Sequence, residues 1–403
     1  MCGLAIGITL TMAALVPETA QGQQVVDLRR LNLPRWTLQE ELRLGSVDGE
    51  QDAFVRPQLK VDSEGRLYVT DGGIPAVRVF DQHGNFIRQI GRKGMGPGEY
   101  TMPINVGFIG DTTWVIDAVT RRVSFFGRGG RHLGDATLES DPSDVQPDLF
   151  VEVFGPDDFI VLSPPGPDRF LRGHSIGRVN FRQSIVRRNR SGTRRDTLAS
   201  YTVEPGIIIT QDDAAGHSQV PYRGIPQLPI ISYIPEYNEI THLERTPANN
   251  LDVGEFRVTI RRPDGTVIAD RRFRYKPVPL PRSVKDSIRA EMESRYRGAR
   301  VSLGAEKQLA VALQHLGIPD YVPPASGVVR GSDGTWWLAR QSSTDPSPEH
   351  YLVTDAALNP IATVVAPPNV SYLTGQRTRD HVWAVVKGEF DIQYLVRYRI
   401  RRN

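Results

Sequence analysis

The chain of 403 residues carries 49 Lys and Arg against 46 Asp and Glu, and a net charge of +3 is too small to predict nucleic-acid binding by itself. Its 37 Gly and 30 Pro are spread as the punctuation of many turns rather than gathered in one linker, which favours an all-β chain. Length alone suggests two or three domains, yet a closed ring of repeated sheets would absorb it as one.

The N-terminus reads as an export signal. Leu4 to Val16, LAIGITLTMAALV, has the length of a signal-peptide apolar core and is too short to span a bilayer comfortably. Ala20 and Gly22 place small residues just beyond it, so cleavage is expected before Gln23, giving a signal peptide over residues 1–22 and a mature chain over 23–403. No Lys or Arg precedes the run, a departure from the usual signal pattern. No later apolar run approaches the ~20 residues of a transmembrane helix. Cys2, the only cysteine, falls in the segment to be removed, so the exported chain is expected to lack disulfides and to rely on packing. An anchored cysteine would follow the apolar run, which argues against a lipid anchor.

Trp36 to Leu44, WTLQEELRL, has the pattern of a strand with no hairpin partner nearby. From Leu59 to Tyr100 the chain then spells out a four-stranded meander. Val61, Leu67, Val69, Val77, Val79, Phe80, Phe86, Ile87 and Ile90 lie in short β-rich runs, closed by turn signals at Asp62 to Gly65, Asp71 to Gly73 and Asp81 to Gly84. Such a unit cannot bury both faces alone, so similar units are expected to stack against it as blades of a propeller. Pro103 to Leu138 is the second copy, with Asp117 in the place of Asp71 and Gly130 in the place of Gly84.

The segments GRLYVTD, AVRVFDQHGNFIRQIG and GRKGMGPGEYTMP resemble NHL-type repeats of the six-bladed β-propeller superfamily, most fully over Val55 to Pro103. The resemblance implies six blades around a central channel. It also implies two kinds of relative: lactonases that hold a divalent ion over that channel, and NHL propellers whose arginine-rich face binds RNA.

The third blade is expected from Leu149, with LFVEVFG and DDFIVLS, a long loop from Pro164 to about Gly177, and a hairpin turning at Ser191-Gly192. The fourth is expected to open near Asn238 with EITHLER and to turn again at Pro263-Asp264-Gly265. Glu204 to Tyr237, rich in Pro and Gly, yields no clear pattern. Pro281 to Leu316 reads as a helical insert: Ser283 and Asp286 resemble a capping box, Val284, Ile288, Met292 and Tyr296 form one stripe, and Leu309, Leu313 and Leu316 suggest a second short helix. The insert either forms a lid or shields apolar surface. Blades five (GVVRG, TWWLARQ, HYLVTD, NPIATVV) and six (VSYLTG, HVWAVVK, QYLVRYRI) follow. Blade six lacks a fourth strand, which Trp36 to Leu44 is expected to supply, closing the ring.

Chemistry is harder to read. Gly173-His174-Ser175-Ile176-Gly177 satisfies the nucleophile-elbow pattern but is followed by RVNFRQSIV, which reads as strand where the elbow needs a helix. Gly91 to Gly98, GRKGMGPG, is glycine-rich like a phosphate cradle, yet it occupies the connection between blades. Neither a zinc-protease histidine pair nor a calcium-loop motif is present. Candidates for a channel-mouth site are Asp71, Asp117, Glu152, Asn238 and Glu239, although a repeated Asp beside a turn more often caps backbone amides. Arg187 to Arg195, RRNRSGTRR, concentrates charge on one hairpin tip, so Arg187, Arg188, Arg194 and Arg195 are candidates for holding an anionic partner.

These readings lead to an all-β, six-bladed propeller, monomeric and secreted or periplasmic. It is expected to bind an extracytoplasmic ligand or protein through the face built from inner-strand starts and long loops, with no nucleic acid and no required cofactor. The alternatives are a lactonase- or dehydrogenase-like enzyme with a divalent metal such as calcium at the channel mouth, and a purely structural scaffold.

Overall fold

The computed structural model describes residues 25–46, 53–139, 148–163, 176–178, 181–203, 207–209, 218–220, 230–245, 248, 252–298, 313, 318–340, 350–388 and 392–402. Blade one takes the strands Pro57–Val61, Leu67–Asp71, Ile74–Phe80 and Phe86–Ile90, each antiparallel to the next. Its turns are set by local chemistry. The Asp62 carboxylate accepts from the amides of Glu64 and Arg66, and Asp81 accepts from those of His83 and Asn85. Each turn closes on a glycine in the left-handed region, Gly65 at φ 81° and Gly84 at φ 88°, where a side chain would be strained.

Blade two (Pro103–Ile109, Thr112–Asp117, Arg122–Phe126, His132–Thr137) repeats the plan, as expected. Blade three comprises Leu149–Gly155, Asp158–Ser163, Phe181–Arg188 and Arg195–Val203. Where the sequence shows only a long loop and a Pro- and Gly-rich stretch, Ile176–Arg178, Ile207–Ile209 and Ser218–Val220 pair into a small separate sheet.

Blade four differs from expectation at its inner edge. Its first strand is Ile230–Ile234, and Glu239–Arg245, expected to open the blade, is the second, followed by Gly254–Arg261 and Val267–Tyr275. The inner strand is short, half-buried and flanked by Pro229 and Pro235, so turn residues conceal it in the sequence. Blade five is Gly327–Arg330, Trp336–Arg340, His350–Thr354 and Pro360–Val365. Blade six contributes Val370–Arg377, His381–Lys387 and Gln393–Arg401.

The ring closes on the N-terminal strand. Arg35–Leu44 lies antiparallel to Gln393–Arg401, from Thr37 opposite Arg401 to Leu44 opposite Leu395, and supplies the missing fourth strand. It also bridges sideways: Arg35 and Trp36 pair in parallel with Thr363 and Val364 of blade five. Val25–Asp27 adds a further parallel strand on Arg272–Arg274 of blade four. Pairing these outer edges removes exposed ladders that would otherwise recruit other chains.

Packing between blades supplies the core. Blades one and two enclose Tyr68, Val79, Ile90, Val106, Val115 and Phe126. Blades five and six enclose Trp36, Trp337, Tyr351, Val364 and Val396, with the two indoles 6.4 Å apart. Alternating strand residues thus face the two neighbouring blades, and only the inner strands also face the axis.

The helical insert is present as Arg282–Gly298, between the outer strand of blade four and the inner strand of blade five. Its base is tied by Leu280 N–H to Asp320 O and Val322 N–H to Val278 O. The expected capping box does not form. Pro281 precedes the helix, its carbonyl accepts from the amides of Val284 and Lys285, and Ser283 falls within the first turn. Asp286 pairs instead with Arg289. Val284 and Ile288 are half-buried, as the stripe requires. The signal segment, Ser175 and most of the second helical stretch lie outside the described residues.

Candidate functional site

Residues from the inner strands of blades one, two, four, five and six line a channel cavity of about 680 Å³, among them Lys60, Asn105, Tyr233, Arg330 and Arg377. A second cavity of about 350 Å³ shares Lys60, Val61, Pro235 and Glu236 with it and reaches blade three at Glu152 and Phe154. The polar groups gather where inner strands end. Arg330 and Arg377 are the last residues of theirs, and Pro235 to Asn238 form the turn leaving the inner strand of blade four. The sequence directs attention to the opposite mouth, where the inner strands start, whereas short turns carry the charges here.

Lys60 donates to the Glu236 carboxylate across the axis at 2.9 Å. Desolvation works against the charge on Glu236, but the adjacent ammonium outweighs it and holds the carboxyl below its ordinary range. Glu152 behaves oppositely. Burial pushes it up to about 7, against the pull of Lys60 and of the Val153 amide, and Glu236 adds to the rise. Among the described residues its hydrogen bond is the one it accepts from Val153 N–H at 3.3 Å.

Asn238 and Glu239 follow that turn, beside the cavity-lining Tyr233 and Arg330. Asn238 is left-handed (φ 52°), and its side-chain oxygen accepts from the Tyr233 hydroxyl at 2.9 Å. Glu239 is buried and paired with Arg330 of blade five, whose guanidinium lies 3.8 Å from the centroid of Tyr237 and 5.2 Å from that of Trp336. This link fixes blade four against blade five and leaves Glu239 little freedom to hold a ligand.

Asp71 and Asp117 stand apart, at the ends of second strands, with their carboxylates consumed by backbone. Asp71 accepts from the amides of Val55, Arg56 and Gly73. Asp117 accepts from Thr101, Met102, Val119 and Thr120, and these amides keep its carboxyl below its ordinary range despite burial. Each ties the incoming interblade linker to its own blade's corner.

The arginine tip is likewise committed. Arg187 grips Asp158 with two hydrogen bonds of 3.0 and 2.6 Å, and Arg194 joins the same carboxylate at 2.8 Å. Arg188 is buried against Asp148 at 2.6 Å, and Arg195 reaches Asp148 at 2.7 Å. Burial opposes the charge on Asp148, and the two guanidinium groups overcome it. Two acids therefore pair with four guanidinium groups and offset part of what reads in the sequence as a bare cationic run.

Gly91 to Gly98 is an interblade link, as its position implies. Arg92–Lys93 pairs with Glu99–Tyr100, and the Glu99 carboxylate accepts from Arg92 Nε and the Gly96 amide, both at 2.9 Å. Among the described residues no three His, Cys, Asp or Glu side chains come together as metal ligands. Lys60, Tyr233, Glu236, Arg330 and Arg377 escape sequence reasoning. The signal available for Lys60 and Arg330 is a charge beside apolar residues of an inner strand, LKV and GVVR, the strand nearest the axis.

A family described as a 6-bladed beta-propeller, DUF5128, matches residues 55–146, which span blades one and two. Among solved structures, a member of the DUF4221 family from Bacteroides vulgatus is similar with a TM-score of 0.50 and 11% identity, over 92% of this chain and 100% of that one. An exported protein of Bacteroides fragilis aligns over 94% of this chain and 100% of its own, with a TM-score of 0.46 and 12% identity. Virginiamycin B lyase of Staphylococcus aureus, in an inactive form with quinupristin, aligns over 90% and 99% with a TM-score of 0.39 and 11% identity. No curated protein matches the sequence. With the blade count and strand order above, the chain is a six-bladed β-propeller closed by its N-terminal strand.

Proposed function

We propose that this propeller is an exported binding module that takes a small polar ligand into the channel mouth where the inner strands end. The observation that carries this reading is the cavity of about 680 Å³ with polar side chains converging from several blades. Its size falls within the roughly 300–1,000 Å³ of small-molecule sites, and a ligand there would touch several blades at once. Export is supported by the apolar run Leu4 to Val16 and its small-residue cleavage site. No helix among the described residues is long and apolar enough to cross a membrane.

The test is a thermal-shift screen of the purified protein against short amines, carboxylates, neutral oligosaccharides and peptides, run beside Gln58→Trp. Gln58 is exposed within the channel, so an indole there fills the cavity without entering a core. Ligands that raise the melting temperature of the parent protein are expected to lose their effect on the variant. Equal stabilisation of both would overturn the channel as the binding site. Cell fractionation tests export separately: the protein is expected outside the cytoplasm, shortened by the signal segment.

A further inference from the structure

Around the smaller cavity one carboxyl lacks an ion-pair partner. Lys60 is committed to Glu236, and the pair neutralises itself. Glu152 is the third ionisable group on the wall, and no cation among the described residues forms an ion pair with it. The remaining lining is apolar, contributed by Phe108, Ile109, Val153 and Pro235. The elements packed around Glu152 leave it without an ion pair among the described residues. Blade one offers Lys60, which acts on it through space while its hydrogen bond goes to Glu236. Blade two offers Gly107 to Ile109, with no charge, and blade four offers the Tyr233 phenol and Glu236. On blade three itself, the nearby Arg187 is held by Asp158. Glu152 reaches this position at an irregularity in its strand, where the pairing passes from Phe150 to Glu152 and skips Val151.

We propose that this cavity, bounded by blades one to four, binds the protonated primary-amine end of a ligand, with the ammonium on Glu152 and its alkyl portion against Phe108 and Pro235. An ammonium supplies the missing cation, giving two cations to two carboxylates, and offers the donors that Glu152 lacks. A carboxylate ligand would instead meet two acids. This inference rests on the channel reading above and narrows it to one chemical class.

The linkage is specific. A cation requires the ionised form of Glu152, whose proton is retained up to about pH 7, so affinity should rise as the pH passes through that value. The amine itself stays charged well beyond it. The experiment is calorimetric titration of the purified protein with n-butylamine, butyramide and butyrate at pH 6 and pH 8. Butylamine is expected to bind about tenfold more tightly at pH 8, following the ionised fraction of Glu152, and butyramide and butyrate to bind weakly at both. Glu152→Gln, isosteric with the protonated form, should abolish both binding and its pH dependence while retaining a cooperative melt. Lys60→Met, which releases Glu236, should leave butylamine binding intact or tighten it.

Equal binding of butylamine to parent and Glu152→Gln, or a preference for butyrate, would overturn the proposal. If Gln58→Trp-sensitive ligands emerge from the wider screen but butylamine does not bind, the amine site fails and the channel reading stands. If no ligand is sensitive to Gln58→Trp and butylamine does not bind, both fall.

Discussion

Replacing Glu152 with Gln should make the fold more tolerant of alkaline conditions, by an amount that follows from the carboxyl's surroundings. The group titrates at 4.5 in an ordinary setting and at about 7 in the folded protein. The native state therefore holds this proton more tightly than the unfolded chain. The stability it contributes is complete below pH 4.5 and is lost as the pH rises through 7. That interval corresponds to roughly 3 kcal/mol, and because Glu152 is only partly shielded from solvent the realised loss should be about 1–3 kcal/mol. Glutamine keeps the shape of the protonated acid and cannot ionise. Urea denaturation of both proteins at pH 5 and pH 8 should thus show the variant gaining on the parent by about 1–3 kcal/mol at the higher pH. A difference that stays the same at both values would refute the assignment of Glu152 as a carboxyl held neutral by burial.

Trp36→Ala should destabilise the ring by about 3–5 kcal/mol, since it empties a buried site shared with Trp337 and weakens the closing strand; thermal unfolding at a single pH measures it. Asp117→Ala leaves four amides of one blade corner without their acceptor and should cost at least about 2 kcal/mol; no loss in a denaturant titration would show that water replaces the carboxylate. Gly107→Ala places a Cβ 2.2 Å from the buried Trp114 ring and should cost about 1–3 kcal/mol in the same assay. Asp158→Asn, which frees both guanidinium groups that share its carboxylate, should lengthen retention on a heparin column; unchanged retention would show that the hairpin tip does not meet the anion.

The polypeptide's own pattern was enough to count the blades, because the strands are short and several turns are made by residues within four positions of one another, as at Asp62 to Arg66 and Asp81 to Asn85. It was enough for closure too, since a strand without a hairpin partner at one end and a three-stranded blade at the other have one mutual solution. Ile230–Ile234 escaped because prolines surround a run with no alternation. The ion pairs of the arginine run were out of sight for a related reason: Asp148 and Asp158 lie about thirty to forty-seven positions earlier in the chain. Of the ionisable groups that line the smaller cavity, the sequence pointed to Glu152 and not to Lys60 or Glu236. Lys60, Glu152 and Glu236 belong to three blades, and only the ring's curvature brings an ammonium and two carboxylates to one wall. Alternation along a strand tells which residues face away from its neighbours, whereas the environment that sets a carboxyl's charge depends on what the other blades present across the axis.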